Sequence, residues 1–117
     1  MLSAYVVETP ANHHITGMTS FYCLPSTILN HPRHNLLTAA YSFYHFNTRG
    51  PVVGLVADAL VLAKAAGYDV FNCLDLMQNT TFIKDLKFGQ GDGNLHYYLY
   101  NWATPAIQPH ELGLVLL

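Results

Sequence analysis

Charge is what this sequence has least of. Asp, Glu, Lys and Arg make up 10% of its 117 residues, against about 25% in an ordinary soluble domain, while 51% are hydrophobic and the mean hydropathy is +0.20. Such a chain either enters a membrane or hides surface against something. A second absence excludes the first option: no apolar run approaches the roughly 18 to 20 residues that cross a bilayer, and Asp58 and Lys64 interrupt the longest candidate. A basic excess is missing too. Five Lys and Arg stand against seven Asp and Glu, a net charge of −2, which argues against nucleic acid or an anionic membrane as main partner and for a neutral or basic ligand. Two cysteines, Cys23 and Cys73, cannot form a disulfide framework, so a reduced, cytoplasmic compartment is the simpler reading. There the Asn79-Thr80-Thr81 sequon has no meaning. The first residues reach Glu8 with no basic segment before their short apolar run, so no secretory signal is expected.

What remains is the length of one domain, expected to span residues 1–117 around one core. Residues 3–9, SAYVVET, are β-branched and aromatic and stop at Pro10, which reads as a strand. The polar turn 11–14 leads to a second strand over 16–24, with Pro25 expected to break the ladder because proline cannot donate. Residues 37–46, rich in Tyr and Phe, predict a third strand. Pro51 suits a helix start, and apolar residues at Val52, Leu55, Val56, Ala59, Leu60 and Ala63 predict a helix over 52–66 capped by Gly67. That helix is apolar nearly all round, so burial on more than one side is expected. Further strands are expected at 68–74, 94–102 and 112–117, with a short helix over 79–86. The order β-β-β-α-β-α-β-β describes an α+β fold with a mixed α/β sheet.

Four features invite chemistry. Gly89-Gln90-Gly91-Asp92-Gly93 could be a phosphate cradle, but that needs a helix to follow, and here a strand is expected beside a repelling carboxylate. A turn explains one or two glycines. Three around an acid suggest backbone cleared for a ligand carrying positive charge. The histidines at 13, 14, 31 and 34 lie in turns without the spacing of a zinc site, so no metal is expected. Cys73 reads as a small apolar residue in a buried strand rather than a nucleophile. The apolar tail 112–117 is either an ordinary edge strand whose carboxylate reaches water, or a way of carrying that carboxylate inward, where desolvation raises its pKa toward that of a general base.

Lys87-Phe88-Gly89-Gln90-Gly91-Asp92-Gly93 resembles the KFGxGDG signature of the N-myristoyltransferases. The likeness extends through FYCLPSTILNHP, AAYSFY, ADALVLAKAAGYDVFNCLDLM, DLKFGQGDGNLHYYLYNW and GLVLL, almost the whole chain. It implies two related halves similar to the GNAT acetyltransferases, the N-terminal half binding acyl-CoA and the C-terminal half most of the peptide. It further implies transfer of a myristoyl group from myristoyl-CoA to the N-terminal glycine of a protein. This chain resembles the last part alone, a GNAT-like half-domain, so no cofactor-binding residues are expected on it and the missing N-terminal half is a possible partner.

Carried over by position, the catalytic base is the terminal carboxylate of Leu117, which can take a proton from the glycine ammonium. Ser26, Tyr41, Asn72, Asp92, Gly93 and Leu95 match residues lining the peptide groove. Ser26 and Asn72 can hydrogen-bond an extended peptide, Tyr41 offers a wall, and Asp92 can pair with a basic side chain. For Tyr41 and Asn72 the alternative is plain sheet packing. The chain departs from the family at residues 16–22, TGMTSFY, where TDFLSFY is usual, and this puts the register of the first hairpin in question. An alternative function is a non-catalytic, peptide-binding fragment.

Overall fold

The structure is a computed structural model that describes residues 1–113. It divides into two units, Met1–Leu74 and Asp75–Leu117.

The first unit is a four-stranded sheet with one helix. β1 (Leu2–Glu8), β2 (Ile15–Thr27) and β3 (Leu36–Asn47) form an antiparallel meander, and α1 (Val53–Ala65) crosses over to β4 (Val70–Asn72), which lies parallel to β3. The spatial order is β1-β2-β3-β4. The first hairpin pairs Leu2 with Tyr22 and Val7 with Gly17, which settles its register.

β2 does not stop at Pro25 as expected but runs on to Thr27, with Pro25 opposite Thr38. The reason is geometric. The Cys23 N–H points to β1, where it donates to the Met1 carbonyl at 3.0 Å. Two residues on, the Pro25 nitrogen points the same way, beyond the end of β1, so its missing N–H interrupts no ladder.

The helix follows expectation to within a residue at each end. It closes with a left-handed Gly67 (φ +85°). Gly67 N–H donates to the Lys64 carbonyl (3.1 Å) and Tyr68 N–H to that of Ala63 (3.1 Å), a Schellman cap whose next residue, Tyr68, packs back on the core. Within this chain the helix is buried on one side. Val56, Ala59 and Ala63 form a single buried stripe, while Val61 is 68% exposed.

Phe21, Ala40, Ala59 and Ala63 make the core, with Tyr68 and Phe71 against it. Phe21 is fully buried and meets Tyr68 and Phe71 edge-on, with centroids 5.7 and 5.6 Å away. Small alanines on both β3 and α1 let the helix lie close to the sheet.

A bulge lies between the Thr19↔His45 and Phe21↔Ser42 pairs, where β3 carries an extra residue. The buried Ser20 hydroxyl satisfies it, donating to the Tyr44 carbonyl (2.8 Å) and accepting from the Tyr44 N–H (3.0 Å). Next to it His45 lies between two hydroxyls, with Nδ1 at 2.8 Å from Thr19 Oγ1 and Nε2 at 2.6 Å from Ser42 Oγ. Burial pushes its pKa down from 6.5 to about 4.

Further expectations need correction. The strand at 68–74 shrinks to three residues, because its pairing with β3 covers Ala39 to Tyr41. Asp69 prolongs the contact by exchanging hydrogen bonds with Thr38, accepting at its carboxylate (2.8 Å) and donating from its backbone (2.9 Å). Cys73 therefore falls just past the strand, half-buried.

In the second unit the helix expected at 79–86 is α2 (Thr80–Ile83). Its β-branched Thr80, Thr81 and Ile83 are poor helix formers, and the chain leaves it through turns ending at a left-handed Lys87. No strand forms over 94–102. Residues 109–111 form a 3-10 turn whose lead residue Gln108 donates its N–H to the Glu111 carboxylate at 2.9 Å. The strand expected at 112–117 does not include Leu112 or Gly113, and the rest of it lies outside the described residues. Among the described residues no helix is long and apolar enough to cross a membrane.

Candidate peptide-binding site

Side chains directly opposite one another in a ladder share a sheet face, and alternate residues along a strand share it too. Tyr22 pairs with Tyr41, and Tyr41 with Asn72. Leu24 pairs with Ala39 and Ser26 with Leu37. Ser26, Tyr41 and Asn72 therefore stand on one face, spread over three strands. The opposite face carries Phe21, Ala40 and Phe71, which pack with α1. The helix thus leaves free the face that holds all three sheet candidates.

Ser26 is exposed; Tyr41 and Asn72 are half-buried. Tyr41 stacks on Tyr22, centroids 5.5 Å apart and planes 19° apart, and Phe43 meets Tyr22 edge-on at 5.8 Å. An aromatic floor results, with the Asn72 amide at one side and, four residues or about 13 Å along β2, the Ser26 hydroxyl. Such a row can receive an extended chain: aromatic rings bound it laterally, and a hydroxyl and an amide meet its backbone groups.

Asp92, Gly93 and Leu95 belong to the second unit, and all three are exposed. The glycines before them serve neither of the ordinary purposes. None of Gly89, Gly91 and Gly93 has a left-handed φ, and a Cβ at any of them would meet nothing within 4 Å. No helix follows to make an anion site. The segment is open backbone beside a carboxylate, needed neither for a turn nor for packing among the described residues. Leu117 lies outside the described residues.

The histidines behave as loop residues. His13 contacts Glu8, and His31 Nδ1 accepts from the Arg33 and His34 N–H groups at 3.2 and 3.0 Å. No group of three His, Cys, Asp or Glu able to hold a metal occurs among the described residues. Tyr22, stacked on Tyr41 on the same face, is a further candidate that the sequence reading passed over. The signal was available, since it lies four residues before Ser26 on the same face, but a strand expected to end before Pro25 separated them.

An antiparallel meander, a crossover helix and a parallel fourth strand define a GNAT-like α+β acyltransferase fold. A Trypanosoma brucei acetyltransferase has it, with a TM-score of 0.62 over 84% of this chain and 69% of its own at 14% identity. More specifically, residues 1–114 match the family model for the C-terminal domain of myristoyl-CoA:protein N-myristoyltransferase, and the chain belongs to that family. It is 53% identical over 116 residues to glycylpeptide N-tetradecanoyltransferase 2 of Bos taurus, covering 99% of this chain and 23% of the relative. It is 52% identical over 118 aligned residues to glycylpeptide N-tetradecanoyltransferase 1 of Arabidopsis thaliana, covering 100% of this chain and 27% of the relative. Saccharomyces cerevisiae N-myristoyltransferase with bound myristoyl-CoA superposes with a TM-score of 0.71 at 38% identity, over 79% of this chain and 24% of that one. The chain spans about a quarter of the length of the curated relatives it matches.

Proposed function

We propose that this chain is the peptide-binding part of an enzyme that moves a myristoyl group from myristoyl-CoA to the N-terminal glycine of a protein. The observation that carries the reading is the common placement of Ser26, Tyr41 and Asn72 on the sheet face opposite α1. Ser26 and Asn72 hydrogen-bond the substrate backbone, Tyr41 walls it, and Asp92 pairs with a basic side chain of the substrate. Gly93 and Leu95 line its path. The Leu117 carboxylate accepts a proton from the substrate ammonium, leaving an amine lone pair free to attack the thioester carbonyl. The C–N bond then forms, the C–S bond breaks, and the CoA sulfur leaves as the thiol with the second proton lost by the nitrogen, giving the amide.

The acyl-CoA contacts reside in the part of the enzyme that this chain does not span, so the chain alone binds a glycine-starting peptide without turning it over. Calorimetric titration with such a peptide, alongside an assay with myristoyl-CoA, tests this. Binding without turnover is expected. Robust turnover by the 117-residue chain, or no binding, refutes it. A non-catalytic peptide-binding role is the second reading. It is distinguished by adding the remaining polypeptide of a relative, which restores turnover on the first reading and not on the second.

A further inference from the structure

Between residues 9 and 48 the chain carries no Asp, Glu or Lys, and its only Arg is Arg33. That cation stands in the hairpin tip joining β2 to β3, flanked by His31 and His34. The ladder closes with Thr27 opposite Leu36, and with the Ile28 N–H donating to the Asn35 carbonyl at 2.9 Å. The tip is therefore residues 29–34, just beyond Ser26 on the same strand, and every one of its residues is exposed. It is nevertheless held by its own groups. Asn30 supplies a left-handed turn (φ 59°), and His31 Nδ1 accepts from the Arg33 and His34 N–H groups. An accepting Nδ1 puts the ring proton of neutral His31 on Nε2, and the structure gives that N–H no acceptor among the described residues. The His34 ring lies 5.0 Å from that of His31, tilted by 36°. No carboxylate among the described residues pairs with Arg33; the Asp69 carboxylate, at this end of β3, is taken up by the Thr38 N–H. The chain's net charge of −2 thus leaves an uncancelled positive tip at the Ser26 end of the candidate groove.

We propose that the tip 29–34 is a subsite for an acidic side chain of the substrate peptide, with the Arg33 guanidinium supplying the charge and His31 and His34 further donors. This deepens the reading of the sheet face as a peptide groove and rests on it. An extended peptide rises about 3.3 Å per residue, as the strand beneath it does. A substrate with one residue over Ser26 therefore brings another to the tip about three to six residues along. A carboxylate suits these donors, because a guanidinium presents paired N–H groups matched to its two oxygens, and a neutral imidazole N–H can add to them without carrying charge. Asp92 and the tip then select opposite charges at different points of one substrate. An anionic membrane is the weaker candidate, since one permanent cation falls short of the clusters of about four to eight that hold such a surface.

The test titrates the full chain calorimetrically with glycine-starting peptides of about twelve residues, long enough to span groove and tip. Each is neutral except for a single Glu, moved one position at a time, and the matching Gln peptides are the reference. The expected result is a window of about two or three neighbouring positions where Glu binds about 3- to 10-fold tighter than Gln at low ionic strength, the gain shrinking as salt is added. Arg33→Gln should erase the window and leave the Gln peptides' affinity unchanged. His31→Asn keeps an acceptor for the Arg33 and His34 N–H groups but lacks the Nε2–H, so it should reduce the gain without erasing it. Absence of a window, or a window that survives Arg33→Gln, overturns the proposal. Arg33-dependent binding to phosphatidylserine vesicles without a Glu window assigns the tip to a membrane surface and overturns it too. Neutral peptides that bind with no window refute this inference alone; failure of every peptide to bind refutes the groove reading along with it.

Discussion

Acid should loosen the first unit through His45. Its imidazole is held neutral between Thr19 and Ser42, with a pKa lowered from 6.5 to about 4 by burial. Between those values the unfolded chain holds a proton that the folded chain refuses, so stability rises with pH there. The contribution is fully present above about pH 6.5, falls as the pH drops toward 4, and is flat below that. At about 1.4 kcal/mol per pKa unit the whole gap is worth about 3 kcal/mol, and residual solvent access to the ring reduces this to about 2 kcal/mol. Urea unfolding of the chain near pH 7 and near pH 5 measures it, with His45→Gln as the reference, since glutamine can bond to both hydroxyls and does not titrate. The native chain should lose about 1–2 kcal/mol more than the variant over that interval. Equal losses in the two proteins, or a His45 NMR titration centred near 6.5, would refute the reasoning.

Four other outcomes follow from the same structure. Ser20→Ala removes the hydroxyl that bonds both the Tyr44 N–H and carbonyl at the bulge and should cost about 1–3 kcal/mol in urea unfolding. Phe21→Ala removes the ring that fills the space between sheet and helix and should cost about 3–5 kcal/mol, read as a lowered thermal midpoint or as failure to fold. Asp92→Asn should weaken a peptide bearing a basic side chain about 5- to 30-fold in calorimetry, the loss expected for one charge-assisted hydrogen bond, while a neutral peptide is unaffected. With the remaining polypeptide supplied, one residue added after Leu117 should abolish acyl transfer while leaving peptide affinity and the unfolding curve unchanged; retained activity removes the terminal carboxylate as base.

The meander, the helix and its glycine cap were legible from residue pattern, because alternation in β1 to β3 and the 3.6-residue period of α1 are local properties. The extent of β2 was not. Whether Pro25 breaks a strand depends on where β1 ends, and that is decided by a neighbour in space. The length of β4 likewise depends on how far β3 reaches alongside it. For the site, the motifs named Ser26, Tyr41 and Asn72 but could not say that they share a face, since this requires the register of two separate ladders. His45 carried no sequence signal at all; an isolated histidine in an aromatic run acquires its lowered pKa from burial in the folded sheet.

Residues 94–100 show the division most sharply. Their aromatic and apolar side chains determine that they are strand-forming and poor in charge, and the glycines at 89, 91 and 93 determine that the preceding backbone is bare. A strand, however, is completed by hydrogen bonds to a second segment, so composition fixes the capacity and tertiary structure decides whether it is used. The same holds for the apolar excess of the whole chain. The sequence by itself required surface to be hidden, and the fold decided which: one stripe of α1 and one face of the sheet are buried on each other, while the aromatic segment and, on the opposite face, Leu24 and Ser26 stay exposed.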